Sequence, residues 1–492
     1  MICGAAAAAD GFKDTIKIAL AYDITSLDPQ VGKQMRACVI SQQIFDTLVE
    51  WDVEGGIGSR IVPALATEWK YLTEKDVQFT IRKGVKFHNG DELTADDVVY
   101  SIKRTMDSPH VGYYATAFES VEKVDDYTVV IHTKAPYAPL LAGLTTTPFS
   151  IVNKNVASKD EKGFGQNPVG TGRYKFVNYV HGDSAKLEAF PECWRGAAPT
   201  RYIDMKIVPE NAQRTILLET GAIDIAYEIL PNDVDKITSN DALKVAVAPG
   251  AKCYEISLNT ESKGPIGNKL VRRAIELCLD KQLLVDTVLY GHGEPAYQDV
   301  SPRNIAYQPI PPKKQNFDAA EKLLAEAGYP GGGFKLNLWL DTNNIWLQYA
   351  QIIQSELSNV GIDVNIEVME SSTQSAREKS EKDKYDMSTR FINSLTGDAR
   401  FTIYNLLFST SSSNLSNWKN PRADELIEKG RSIIDPKDSV EIYKELFNLI
   451  DDERPTLPCY FDEIIVGLNK KVEGFIPRAD GIHVFGNLTC RE

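Results

Sequence analysis

Between Phe334 and Val368 the hydrophobic period of the chain changes twice, and that change restricts the fold more than any other feature of the sequence. Phe334, Leu336, Leu338 and Leu340 alternate as they do in a strand. Trp346, Ala350, Ile353, Leu357 and Val360 then recur at helical spacing, and Gly361 ends the stripe. Ile362, Val364, Ile366 and Val368 alternate again. Strand, helix and strand in this order form a βαβ unit, with parallel strands and a right-handed crossover. Trp339 and Trp346 lie on these patterns and read as core residues. The class is therefore mixed α/β.

The remaining pattern agrees with that class. Thr15 to Leu20, Val77 to Arg82 and Tyr127 to His132 read as strands, and Asn89-Gly90 as a turn. Tyr174 to Val180 and Ala185 to Phe190 pair as a hairpin across His181-Gly182-Asp183. Cys38 to Leu48 is expected to be a helix, as is the stretch opened by Thr94, with Asp97 three residues on and Val98, Ile102 and Met106 facing inward. A single long helix is expected over Val271 to Tyr290, with Val271, Ala274, Cys278, Val285 and Leu289 on one side. Asn316 caps a helix over Phe317 to Ala327 that Gly328 stops. Helices near Asp424 to Ile434 and Ser439 to Asp451 precede a strand at Glu463 to Leu468. No repeat of fixed period is present.

Composition excludes several classes of function. The 492 residues carry 54 Lys+Arg against 68 Asp+Glu, a net charge of −14 with no basic block, which disfavours nucleic acid or an anionic membrane as a partner. With 43% hydrophobic and 25% charged residues the chain is globular, with the length for two or three lobes. No apolar run approaches the roughly 18 residues needed to span a bilayer. Met1-Ile2-Cys3-Gly4 and the run Ala5 to Ala9 show no charged n-region and apolar h-region, which fits a cytosolic chain or one whose signal has been removed. Besides Cys3 there are Cys38, Cys193, Cys253, Cys278, Cys459 and Cys490. None makes a Cys-x-x-Cys pair, and their disulfide pairing is left open. There is no phosphate-binding glycine loop, no His-Glu-x-x-His and no Gly-x-Ser-x-Gly elbow, and the six histidines show no ligand spacing. A long chain with no catalytic constellation, metal set or cofactor motif points to binding rather than to an enzyme.

A series of segments carries a family likeness: Ser26-Leu27-Asp28-Pro29, Phe45-Asp46-Thr47-Leu48, Pro63-Ala64-Leu65-Ala66 with Trp69, and Ile81-Arg82-Lys83-Gly84-Val85-Lys86-Phe87-His88-Asn89-Gly90 before Leu93-Thr94-Ala95-Asp96-Asp97-Val98. Pro168-Val169-Gly170-Thr171-Gly172-Arg173-Tyr174-Lys175-Phe176, Gly221-Ala222-Ile223-Asp224, Val271-Arg272-Arg273-Ala274-Ile275 and Ala325-Glu326-Ala327-Gly328-Tyr329-Pro330 continue it. In these the chain resembles the extracellular solute-binding proteins of peptide/nickel/opine ABC importers, over nearly its whole length after Thr15. The resemblance implies a two-lobed, periplasmic-binding-protein-like (Venus flytrap) α/β fold with an inserted subdomain. Residues 1–13 would be a tether, and 14–49, 169–262 and 469–492 lobe I. Residues 50–168 would be the insertion in lobe I and 263–468 lobe II, with chain crossings near Thr260 and Leu468. It also implies a monomer that closes on a small peptide and delivers it to a membrane permease and its ATPase. The protein would stand outside the cytoplasm, at the cell surface or in the periplasm, anchored by a lipid on Cys3. A metal chelate, opine, amino-acid derivative or oligosaccharide is the alternative ligand, and a peptide sensor or chaperone the alternative role.

The same resemblance points to ligand-facing residues. Thr396-Gly397-Asp398 matches the position at which the family uses an aspartate for the α-ammonium of a bound peptide, a group that on burial needs a charged partner. Asp398 also suits the cap of a helix starting at Ala399. Asn393, Leu395, Tyr113, Tyr114, Tyr254 and Asn259 are expected to line the site. Dipeptide binders carry a carboxylate-binding arginine in the loop that here reads Asp341-Thr342-Asn343-Asn344-Ile345, with none. Asn343 of that loop is expected among the ligand-facing residues, and Arg36, Arg390 and Arg400 are the candidate cations by their proximity to ligand-facing segments.

Overall fold

The computed structural model describes residues 11–24, 26–31, 35–52, 56–394 and 396–492, without the side chains of residues 35–37 and 344. Cys3 and Leu395 lie outside these residues, and of Arg36 only the backbone is inside them. The chain divides into two compact units: residues up to Ala248 with Ile464–Glu492, and Pro249–Glu463. Two long strands, Leu243–Leu258 and Thr456–Asn469, carry the chain from one unit to the other. The division falls inside these strands, ahead of the crossings expected at Thr260 and Leu468.

In the first unit, Thr15–Leu20 lies parallel to Tyr202–Ile207 and to the short Ile225–Ala226. The hairpin Tyr174–Val180 with Ser184–Ala189 extends this sheet through Tyr202–Ile207. Its core gathers Ile16, Ile18, Ile40, Phe45, Leu187, Ile203 and Met205, all buried. A separate antiparallel sheet, ordered Ala66–Tyr71, Asp76–Ile81, Thr128–Thr133, Phe118–Asp125, packs against the helix Ala95–Asp107. That helix starts where the Thr94–Asp97 spacing places it: the Asp97 carboxylate accepts from Thr94 N (3.0 Å) and Thr94 Oγ1 (3.2 Å), and its other oxygen accepts from Lys154 N (2.9 Å).

In the second unit the βαβ reading holds. Phe334–Asp341 and Ile362–Met369 run parallel in register from Phe334↔Ile362 to Asp341↔Met369, and the helix Asn344–Ser358 connects them. Leu336, Leu338, Leu340, Trp346, Ile353, Leu357 and Val364 meet in one buried cluster. Trp339 is buried on the other face of its strand, against Tyr385 and beneath the Arg377 guanidinium. The next strand, Met387–Asn393, adds parallel to Phe334–Asp341 and antiparallel to residues 252–258. Asn316 caps the helix Phe317–Glu326 through Ala319 N, and Gly328 and Gly361 take the left-handed backbone that stops each helix.

Three expectations change. The helix expected over Val271 to Tyr290 is two, Lys269–Cys278 and Lys281–Val288. Leu279 is extended, and the Asp280 side chain accepts from Leu283 N at 2.9 Å, so a local cap competes with helix continuation and wins. The apolar stripe runs on across the break because both halves pack on the same core. The first helix covers Met35–Ile44, ending before Leu48, and the strand expected at Glu463 to Leu468 begins at Thr456.

Candidate functional site

The second unit brings most of the expected ligand-facing residues together around the end of the strand Met387–Asn393. Past Ser394 the chain turns at Gly397, whose φ of +65° favours glycine. Gly397 N donates to Ser394 O (2.9 Å), while Ile305 N donates to Gly397 O (2.9 Å) and Ala399 N to Ile305 O (3.0 Å). The loop is thereby tied on both sides to the segment at Ile305. Thr396 is buried, and its Oγ1 accepts from Asp398 N at 3.3 Å.

Asp398 caps the helix Ala399–Leu407, its Oδ1 accepting from Arg400 N at 2.9 Å. The Arg400 guanidinium lies along the same carboxylate, with Nε at 2.9 and 3.1 Å from the two oxygens and Nη2 at 2.6 Å from Oδ2. Nη1 donates to Ile433 O at 3.0 Å. Asp398 is 0% exposed and Arg400 3%. The carboxylate expected to receive a ligand ammonium therefore already holds an internal cation, and Arg400, offered as a carboxylate receptor, already holds an internal anion. A two-residue separation hid this pair, since helix neighbours are usually sought three or four residues apart.

Upstream of the loop, the register pairs Lys252 with Asn393 and Tyr254 with Phe391. Alternation puts all four on one face of the two strands. Tyr254 stacks on Tyr460 (centroids 4.5 Å apart, planes at 11°) and leans on Trp346 (5.4 Å) and Phe391 (6.1 Å). Lys252 Nζ stands 5.4 Å from the Tyr254 centroid, 5.3 Å from that of Phe391 and 3.4 Å from Asp462 Oδ2. Phe391 is 53% exposed. Lys252 and Phe391 were not singled out from the sequence. Each is one step of alternation from a residue that was, but only the register shows that they meet.

The opposite face of this strand pair is closed. Glu255 is buried, accepts from Ser257 Oγ at 3.3 Å and pairs with Arg390 Nε at 3.2 Å. Burial, and after it the Asp299 charge, push Glu255 well above the usual carboxylate range. Arg390 Nη1 also donates to Ser413 O at 2.8 Å, so this second candidate cation is committed to its own unit.

Other expected residues have structural partners. Asn259 is buried, donating to Lys382 O (2.7 Å) and Tyr385 O (3.0 Å) and accepting from Asn417 Nδ2 (3.2 Å). Asn343 caps the helix Asn344–Ser358 through Ile345 N at 2.9 Å. Tyr113 and Tyr114 belong to the first unit, with ring centroids 4.4 Å apart, Tyr113 half exposed and Tyr114 buried. Among the described residues no group of three or more His, Cys, Asp or Glu could hold a metal ion, and no helix is long and apolar enough to cross a membrane.

Residues 60–414 match the family described as "Bacterial extracellular solute-binding proteins, family 5 Middle". The chain is 27% identical to Heme-binding protein A of Haemophilus influenzae, over 90% of this chain and 86% of that protein. It is also 27% identical to the glutathione-binding protein GsiB of Pectobacterium atrosepticum, over 98% and 95%. Among solved structures, HbpA2 from Haemophilus parasuis superposes with a TM-score of 0.86 at 25% identity, covering 97% of this chain and all of that one. DppA from Helicobacter pylori, in complex with the peptide STSA, gives 0.84 at 26% identity over 98% and 99%. With the family match spanning most of its length and the α/β fold shared, the chain belongs to family 5 of the bacterial extracellular solute-binding proteins, and its role is to bind a substrate.

Proposed function

We propose that this chain captures a small peptide or a related amine-bearing solute and delivers it to an ABC permease and ATPase complex, tethered outside the cytoplasm by a lipid on Cys3. The observation that carries the ligand class is the strand face of Tyr254 and Asn393, which runs directly into the glycine turn Thr396-Gly397-Asp398. Aromatic side chains, a cation and an amide side by side suit a peptide, whose parts are a backbone, charged ends and an apolar side chain. Two of the similar proteins support this class through their own ligands, glutathione in one and the peptide STSA in the other. In this reading Thr396 and Gly397 shape the loop on which the ligand's amino end rests. An arriving ammonium would share the Asp398 carboxylate with Arg400.

Native mass spectrometry of gently purified protein, followed by calorimetry with dipeptides, tripeptides and glutathione, tests the proposal. A co-purified peptide and peptide binding at micromolar or tighter affinity are expected. A co-purified sugar or metal chelate, with no heat from any peptide, would overturn it. The tether is tested separately, by the mass of the mature N-terminal fragment from native membranes: diacylglycerol on Cys3 is expected, and an unmodified Cys3 refutes it.

A further inference from the structure

We infer that Glu255 and Asp299 share a single proton behind the strand pair that carries Tyr254 and Phe391, and that this proton clamps residues 296–305 to those strands, so that the clamp loosens as pH rises. The inference concerns the closed face of the strands and stands apart from the ligand proposed for the other face.

Both carboxyl groups are buried, Glu255 at 0% and Asp299 at 1% exposure. The chain around them brings them together. Ala296 N donates to Cys459 O at 3.0 Å, Cys253 Sγ donates to Gln298 O at 3.8 Å, and Thr456 Oγ1 donates to Asp299 Oδ2 at 2.9 Å. Cys253 and Glu255 stand two residues apart on one strand and share the face that meets this segment. One oxygen of each carboxyl is supplied with donors: Glu255 Oε1 by Ser257 Oγ at 3.3 Å and Arg390 Nε at 3.2 Å, and Asp299 Oδ2 by Thr456. Glu255 Oε2 and Asp299 Oδ1 are enclosed, and no donor among the described residues reaches either. The Asp299 charge acts on Glu255 more strongly than the guanidinium at 3.2 Å does, which puts the two carboxyl groups in contact. Two ionised carboxylates held that close and away from water repel. One proton between the two unsupplied oxygens turns the repulsion into a hydrogen bond. Ile305, at the end of the clamped segment, bonds Gly397 O and Ala399 N, so the clamp also steadies the glycine turn.

The other charges on this face do not imitate the effect. Arg390 keeps its charge at any pH of interest, and Glu378, on the helix Ser371–Ser380, lies within its field. Burial raises the thiols of Cys253 and Cys459, which stay neutral here. Lys281, paired with Glu276, is lowered by burial, so its titration would strengthen the fold as pH rises, opposite in sign to the clamp.

Infrared difference spectra of wild type against Glu255→Gln and against Asp299→Asn test this at about pH 7.5, without ligand; in either variant an amide can bridge the two oxygens and keep the fold. Each difference should contain the carbonyl stretch of one protonated carboxyl. Hydrogen exchange of residues 252–258 and 387–393, corrected for intrinsic rates, gives the second reading. Opening should become about tenfold more frequent per pH unit from about pH 7.5 to 8.5 in wild type and stay level in both variants. Difference spectra without a protonated carboxyl mean that both groups are ionised and overturn the inference. So does a wild-type opening that ignores pH, a result readable even where a variant fails to fold. A slope that survives in both variants assigns the proton to another group, such as Glu378, and overturns it as well.

Discussion

The Asp398–Arg400 pair allows a direct separation of stability from ligand binding. Asp398→Ala removes the cap of Ala399–Leu407 and takes the carboxylate from a guanidinium that is 3% exposed. Breaking a buried pair on one side costs about 3–5 kcal/mol, which includes the stranded charge. Asp398→Asn keeps an oxygen for the cap and loses the charge, for about 2 kcal/mol, the scale of a hydrogen bond to a charged group. Arg400→Met strands the carboxylate instead. The double variant Asp398→Asn/Arg400→Met strands neither charge, so it should be more stable than either single variant. That non-additivity is the signature of a direct pair. Hydrogen exchange of Ala399–Leu407 across a urea series gives the free energy of this helix directly. If Asp398→Ala leaves exchange in that helix unchanged while peptide affinity drops a thousandfold, the carboxylate serves the ligand and the structural reasoning is wrong.

Further outcomes follow from other buried groups. Glu356 is buried, and the loss of its water raises its pKa from 4.5 to about 7. The folded state thus retains a proton that the unfolded chain releases, so stability should fall as pH rises from about 4.5 to about 7, by about 2–3 kcal/mol in all. Glu356→Gln should flatten this fall, measured as urea midpoints across that range; an unchanged slope would show that Glu356 is not its source. Gly430 lets the helix Pro421–Ser432 approach Val440–Glu453, since a Cβ there would lie 2.5 Å from the Tyr443 ring. Gly430→Ala should therefore destabilise by about 1–3 kcal/mol despite its better helix propensity, and a stabilised variant would contradict the packing. Asp97→Ala strands the N–H groups of Thr94 and Lys154 and should cost about 1–2 kcal/mol by urea unfolding; a neutral result would mean that water replaces the carboxylate.

The residues that were legible in the sequence act through short-range geometry. Thr94 and Asp97, Asn316 before its helix, Gly328 and Gly361 after theirs, and Asp398 ahead of Ala399 each act within three or four positions, where backbone hydrogen bonds and allowed φ values set the outcome. The alternation from Phe334 to Val368 determined a parallel pair because a helical connection of that length allows no other arrangement. The break at Leu279 escaped notice because hydrophobic period reports which side is buried and is blind to a cap that interrupts it. Which residues meet across strands was decided only by the tertiary structure. Lys252 finds Phe391 and Asp462, Arg390 finds Glu255, and Arg400 takes the carboxylate that a ligand was expected to take. Register and long-range packing assign these partners, since a one-residue slip would turn each side chain to the opposite face. The sequence alone thus determined the class and family of this protein, while its tertiary structure decided which charges pair with one another, because a charge is satisfied by whatever the folded chain brings within a few ångströms.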